Sequence, residues 1–595
     1  MLPYFIILDP SLRTPQGHHQ PYDRRVSAAA ARAGYVPLVA SNLKFAITPD
    51  LPPGSKSVYR FYEREMPPHT RLFRGYLAVR SWCSRRTGGR LAEDGAFFGR
   101  LNRALWRIDF ERRFRMKKKA FIADTLAALP GSDLPGGSVV FMPNATLLDT
   151  VFVRALTEAR PGLARAEWHL LFHEDVYFGL TRLPLDKPET YAALHDQARD
   201  ARGSRVHFHA NTEELARDLQ SVGVSTVRAL PIPLPEIAKS VSDDAGRPLR
   251  VAYLGNARAE KGFQHLPRVV EEVGRARAGR RPVHFVIQST LTPVAEYEQM
   301  KAARAALDAP AVRDRVSCFE QPSPDDYLAQ LCASDIVLMP YDGPAYFARA
   351  SYIMAEALAA GIPAVVPHAS TMAGWIKEAV YAHLDGLPDG KFQILGKLEG
   401  RSFQPLETSR ELAVNPHARR PTRVTARGIS VTVPVPPGAA RLLLSFAPSA
   451  EDRGGVAMVD VAPRGGAPFR RVILFESSRF RPAMVADVPA GATALDVFCS
   501  ADLVPAGLDV RSLRIEFAGD SERPVPLSAV GVVFSEPGDL AAAICEIADY
   551  YEHYRSTALA FSEAWKRRHN PDALIRALTG RTAADAAAAI SGGSL

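Results

Sequence analysis

Arg258 and Lys261 stand in a short polar stretch, Gly255-Asn256-Ala257-Arg258-Ala259-Glu260-Lys261-Gly262, between the apolar run Leu249–Leu254 and a helix-forming segment. Two cations beside a glycine-lined helix start can neutralise a diphosphate and stabilise it as it departs. A second chemistry-bearing stretch is Ser334–Pro367. There the apolar run Ile336–Met339 ends at Pro340, and a polar loop, Tyr341–Ala350, carries Asp342 and Arg349. Ser351 can cap a helix through Ala360, which Gly361 and Pro363 stop. This unit puts a helix N-terminus, Arg349, Ser351 and the carboxylate of Glu356 at the carboxyl edge of a sheet. In open α/β sheets ligands bind at that edge, and a helix N-terminus favours phosphate.

Other candidates are weaker. Gly17, His18 and His19 lie in a polar loop after the first apolar run, Tyr4–Asp9. His173 follows the run Glu167–Phe172 and heads His173-Glu174-Asp175. The cysteines, Cys83, Cys318, Cys332, Cys499 and Cys545, are scattered without a CxxC pair. They fit reduced thiols in a cytosolic protein, and neither a zinc site nor a disulfide framework. No metal-ligand spacing stands out, so no metal is expected.

A chain of 595 residues implies roughly two to four domains. Apolar residues make up 47% and charged residues 23%, as in soluble globular proteins. No apolar run is long enough to span a bilayer, and Met1–Asp9 reads as a first strand, not a signal peptide. Of the net charge of +9, residues 60–119 alone hold +11, from 17 Lys/Arg and 6 Asp/Glu. Within that segment Phe97, Leu101, Leu105 and Ile108 recur at helical spacing, with Arg100, Arg103 and Arg107 on another face. Two readings stay open: a helix packed on its own domain with a solvated basic face, or docking to an anionic membrane surface. Nucleic acid is disfavoured, because no reading helix, RNP-type strand or zinc spacing accompanies the charge.

Elsewhere strands and helices alternate, which predicts parallel, doubly wound α/β sheets. The linker-like stretch Lys239–Arg247 separates an N-terminal domain, 1–240, from a second α/β domain beginning at 248. The alternation breaks at about 381. Short strands with Pro/Gly turns, such as ISVTV at Ile429 and RRVILF at Arg470, run to 528 and suggest an all-β sandwich. The α/β pattern resumes over 529–580, so the sandwich reads as an insertion in the C-terminal half, and 581–595 as a flexible tail.

The second stretch resembles the donor-site signature of GT-B glycosyltransferases of family 4. That family has a leading glutamate and, eight residues later, E-A-M-A-x-G-x-P-V-V. Glu356-Ala357-Leu358-Ala359-Ala360-Gly361-Ile362-Pro363 matches the latter, while the leading position is Ala348. The first stretch is similar to the family's G-R-x-x-x-x-K-G. Lys261 matches the lysine, Asn256 stands where the arginine is expected, and Arg258 can substitute. The resemblance implies two Rossmann-like domains facing a cleft, a nucleotide-sugar donor on the second domain, and a glycan or lipid-linked acceptor on the first. It implies sugar transfer with retention, independent of metal or cofactor, in surface polysaccharide synthesis. Arg258 and Lys261 would bind the diphosphate, Glu356 the ribose, and Arg349 and the amides near Ser351 the phosphates. Gly255 and Asn256 would line the donor site, Gly17 would give room in the cleft, and His173 would contact the transferred sugar. Asp342 could compensate for Ala348. A non-catalytic glycan-binding or scaffold protein and a nucleotide-sugar epimerase remain alternatives, in the cytoplasm or at the inner membrane face.

Overall fold

The protein was analysed as a computed structural model that describes residues 2–14, 19–62, 65, 67–86, 96–131, 133–173, 205–221, 227–237, 246–291, 297–346, 348–367, 370–385, 394–398, 406–413, 423–446, 456–466, 470–475, 483–500, 513–519, 530–534, 536–582 and 584. The chain forms two compact units, Met1–Pro233 with His569–Leu595, and Leu234–Arg568.

The first unit holds β1 (Tyr4–Asp9), β2 (Val36–Asn42), β3 (Lys56–Tyr59), β4 (Val139–Met142), β5 (Glu167–Phe172), β6 (Val206–Ala210) and β7 (Arg228–Ala229). They form one parallel sheet in the order β3-β2-β1-β4-β5-β6-β7. Phe5–Leu8 and Val139–Met142 are buried throughout, as a parallel strand covered on both faces requires. The helix Pro571–Thr579, which sequence alone keeps with 529–580, belongs to this unit and packs on the helix His19–Arg32. There Arg32 and Asp572 pair at 2.8 Å.

In the basic segment, Ala96–Ala128 is one helix. Its inward stripe is not the expected one. Ile108 is 57% exposed, while Phe110, Ala120 and Phe121 are buried. Buried Asp109 accepts bonds from the Thr70 backbone and hydroxyl and pairs with His69, and Asp124 pairs with Arg60. These distant partners turn the helix about its axis.

The second unit holds β8 (Leu249–Tyr253), β9 (Val283–Gln288), β10 (Val316–Phe319), β11 (Ile336–Leu338) and β12 (Ala364–Pro367). The order is β10-β9-β8-β11-β12, again parallel, and Gly531–Phe534 pairs beyond β12. Between those last two neighbours in the sheet, residues 394–519 build two antiparallel sheets of four and five strands. Alternate residues of both, among them Val433, Leu442, Val461, Leu495 and Phe517, share one apolar cluster.

On β5 and β6 of the first sheet, His169 and His209 are buried, with Nδ1 of one 2.9 Å from Nε2 of the other. Burial, with the neighbouring imidazoles, pushes His169 to about 2 and His209 to about 3, both below the free value of 6.5. The unfolded chain therefore binds protons that the folded chain refuses. The stability these groups contribute is complete above pH 6.5 and falls as the pH drops towards 3. The slope reaches about 1.4 kcal/mol per pH unit for each histidine. Denaturant unfolding at pH 7, 6 and 5 should show this loss, and His169→Gln with His209→Gln should flatten it.

Candidate functional site

The site residues of the second unit follow β8 and β11, strands that are adjacent although far apart in sequence. The order in which strands are added to the sheet reverses between them, and such a switch point leaves a crevice at the carboxyl edge.

After β8 the chain passes Gly255, makes a tight turn at Ala259–Lys261, and reverses at Gly262 with φ +71°. A Cβ at Gly262 would overlap the Pro340 carbonyl, so only glycine lets the two loops close. The Asp342 amide then donates to the Glu260 carbonyl at 2.9 Å. After β11, Ser351 caps the helix Tyr352–Ala360, its hydroxyl accepting from the Met354 amide at 3.3 Å. Gly361, φ +65°, ends that helix.

Three cations are gathered here. Lys261 Nζ lies against Gly255, where an added Cβ would also meet Ile353 of the capped helix at 3.3 Å. Nζ is 5.4 Å from the centre of the Tyr341 ring, and the Arg349 guanidinium is 4.9 Å from that of Tyr346. Arg258 pairs with Glu260 at 3.0 Å, and the other oxygen of Glu260 is 4.0 Å from Arg349. Burial, with Arg258 and Arg349 outweighing Glu260, pushes Lys261 down to about 7. Glu356 accepts from the Tyr327 hydroxyl at 2.7 Å. Asn256 keeps its side chain exposed, and its carbonyl accepts from the Tyr253 hydroxyl. Ala348 is buried at the position where the resemblance expects a carboxylate.

Gly255, Arg258, Lys261, Arg349, Ser351 and Glu356 thus share one edge of one unit. Sequence reasoning missed Glu260, Tyr327, Tyr341 and Tyr346. Only Glu260 carried a local signal, as the carboxylate between Arg258 and Lys261. The arrangement suits an anion with several oxygens: two guanidinium groups and one ammonium stand beside a helix start.

The first unit has its own switch point, between β1 and β4. Gly17 lies outside the described residues. His19 Nδ1 is 2.9 Å from Asp9 Oδ2, and the Asn144 amide nitrogen is 3.2 Å from His19 Nδ1. Asp23 is fully buried. Burial and the charge of Asp9 hold its carboxyl well above the usual range. His173 donates from Nε2 to the Pro143 carbonyl and accepts at Nδ1 from the Asn211 amide at 2.8 Å. Its ring is fixed in one tautomer. Sequence reasoning missed Asp9, Asp23, Asn144 and Asn211 as partners.

No family model matches the chain, and no curated protein matches it. Among solved structures it is similar to sucrose-phosphate synthase from Thermosynechococcus elongatus, at 13% identity over 63% of this chain and 84% of that one, with a TM-score of 0.40. It is also similar to WaaG, a glycosyltransferase involved in lipopolysaccharide biosynthesis, at 13% identity over 63% and 84%, TM-score 0.35. A third is an α,α-trehalose 6-phosphate synthase from Burkholderia multivorans, at 12% identity over 64% and 86%, TM-score 0.38. The functional reading rests on the side chains above.

A diphosphate beside Lys261 should restore its proton. Nucleoside diphosphates are fully ionised above about pH 7 (phosphate pKa about 6). Their affinity should then fall with rising pH from about 7, the Lys261 value, by up to about tenfold per unit. Titration calorimetry at pH 8 in buffers of different ionisation enthalpy should show proton uptake, and Lys261→Met should abolish it.

Proposed function

We propose that the protein is a GT-B glycosyltransferase that moves a sugar from a nucleotide diphosphate to a glycan or lipid-linked acceptor. The observation that carries this reading is the convergence of Arg258, Lys261 and Arg349 on the loop around Gly255, beside the Ser351-capped helix. Glu356, held by Tyr327, fits a ribose diol, because a carboxylate accepts two hydroxyl bonds at once.

In the proposed reaction the bond between the sugar's anomeric carbon and the β-phosphate oxygen breaks, the acceptor oxygen bonds to that carbon, and the acceptor hydroxyl's proton passes to the leaving phosphate oxygen. The electron pair stays on the leaving diphosphate. Arg258 and Lys261 offset the charge that grows there, so the reading invokes no metal. Retention and membership of family 4 follow from the resemblance of Glu356–Pro363. His173, with its ring tied down, serves as a positioning contact for the sugar and not as a proton carrier. The two antiparallel sheets are read as an inserted β-sandwich, and the setting as surface polysaccharide synthesis in the cytoplasm. A second reading, a non-catalytic nucleotide-sugar binder, is favoured by one residue, the buried Ala348 that replaces a carboxylate.

Thermal shifts with UDP-, GDP-, ADP- and dTDP-sugars test the donor site. One nucleotide series should raise the midpoint in a concentration-dependent way. Lys261→Ala and Arg258→Ala should each remove most of that shift, and a shift that survives both sinks the assignment. Binding without turnover on any acceptor would select the second reading. Tyr327→Phe removes the bond that aims Glu356. It should weaken the matching donor by at least about 10-fold, the worth of one hydrogen bond to a charged group, with little effect on inorganic pyrophosphate.

A further inference from the structure

The exposed face of the helix Ala96–Ala128 carries Ile108, Arg112, Arg115, Met116 and Lys119, spaced to fall on one stripe. Ile108 is 57% and Met116 49% exposed. They lie two turns apart, about 12 Å at 1.5 Å per residue, with the three cations between and beside them. The acids of this helix are mostly withdrawn from that face. Asp109 is buried against His69 and Thr70, and Asp124 against Arg60, leaving Glu111 as the exposed carboxylate. The adjoining helix Arg71–Arg86 adds exposed Arg71 and Arg74, and Val79 at 61% exposure. Among the described residues, no helix is long and apolar enough to cross a membrane.

A basic stripe alone serves any polyanion. Bulky aliphatic side chains set among the cations narrow the choice. Phosphodiester backbones offer them nothing to bury in, whereas a lipid surface presents anionic headgroups directly above acyl chains. The inward placement of Asp109 and Asp124 has the same effect, since it removes the charges that a headgroup layer would repel. We propose that this face docks on an anionic phospholipid surface, with Ile108 and Met116 entering the headgroup boundary and Arg112, Arg115 and Lys119 pairing with phosphates. The docking is independent of the donor site, so it stands or falls apart from the transferase reading.

Vesicle flotation of the full-length protein tests it, with phosphatidylcholine alone and with roughly a third phosphatidylglycerol. The protein should float with the anionic vesicles and stay behind with the neutral ones. Arg112→Glu with Arg115→Glu should cut partitioning at least about tenfold, consistent with about 1 kcal/mol for each cation near the surface. Ile108→Ser with Met116→Ser should weaken it severalfold and make the remainder fully salt-sensitive. All four positions are exposed, so circular dichroism and thermal midpoints should match the parent, and the donor thermal shift should be unchanged. Equal partitioning of parent and variants, no partitioning of the parent, or loss of duplex nucleic-acid binding in the variants with vesicle binding intact would each overturn the proposal.

Discussion

The contact on which the second unit's site depends is between a glycine and a carbonyl. Gly262 sits against Pro340 so closely that no side chain fits, in a backbone conformation that already favours glycine. Closing that gap brings the loop after β8 against the loop after β11, and the Asp342 amide fastens it to the Glu260 carbonyl. The cation cluster of the site is carried by those two loops. Arg258 and Lys261 come from one and Arg349 from the other, and Glu260 is the carboxylate set between them.

Such a cluster is uncomfortable without a ligand. The start of the helix Tyr352–Ala360 adds its own positive end to three cations and one carboxylate. An arginine keeps its proton in any protein environment, so the strain falls on the lysine, which burial and its neighbours bring to about 7. An anion relieves burial, repulsion and dipole together. The site is thus arranged in advance for negative charge, which is where electrostatic stabilisation costs least at the moment of reaction.

What the sequence disclosed follows the range of the forces involved. Ser351, Glu356 and Gly361 were legible because a cap, a helix face and a helix stop are decided within a few residues. So was the alternation of strands and helices, which recovered both parallel sheets. Tyr327 was not legible, because it reaches Glu356 from a different helix, 29 residues earlier. The face of the long basic helix was misjudged for the same reason. Its rotation is set by His69, Thr70 and Arg60, and periodicity read along the helix does not contain them. The helix Pro571–Thr579 escaped because its partners lie some 540 residues back in the chain.

The two parallel sheets solve the same topological problem with opposite chemistry. In each, a loop after the first strand and a loop after a later neighbour meet at the carboxyl edge. In the second unit that edge is cationic and suits phosphates. In the first it is built from Asp9, His19, Asn144, Asn211 and His173, a set of donors and acceptors with no lysine or arginine among them. Fixed polar groups of this kind match hydroxyls, which both donate and accept. Asp23 strengthens the contrast. Burial and the charge of Asp9 both disfavour a second negative charge at Asp23, and the Asp9 carboxylate pairs with His19. Such an edge offers a diphosphate less than the cationic edge of the second unit does.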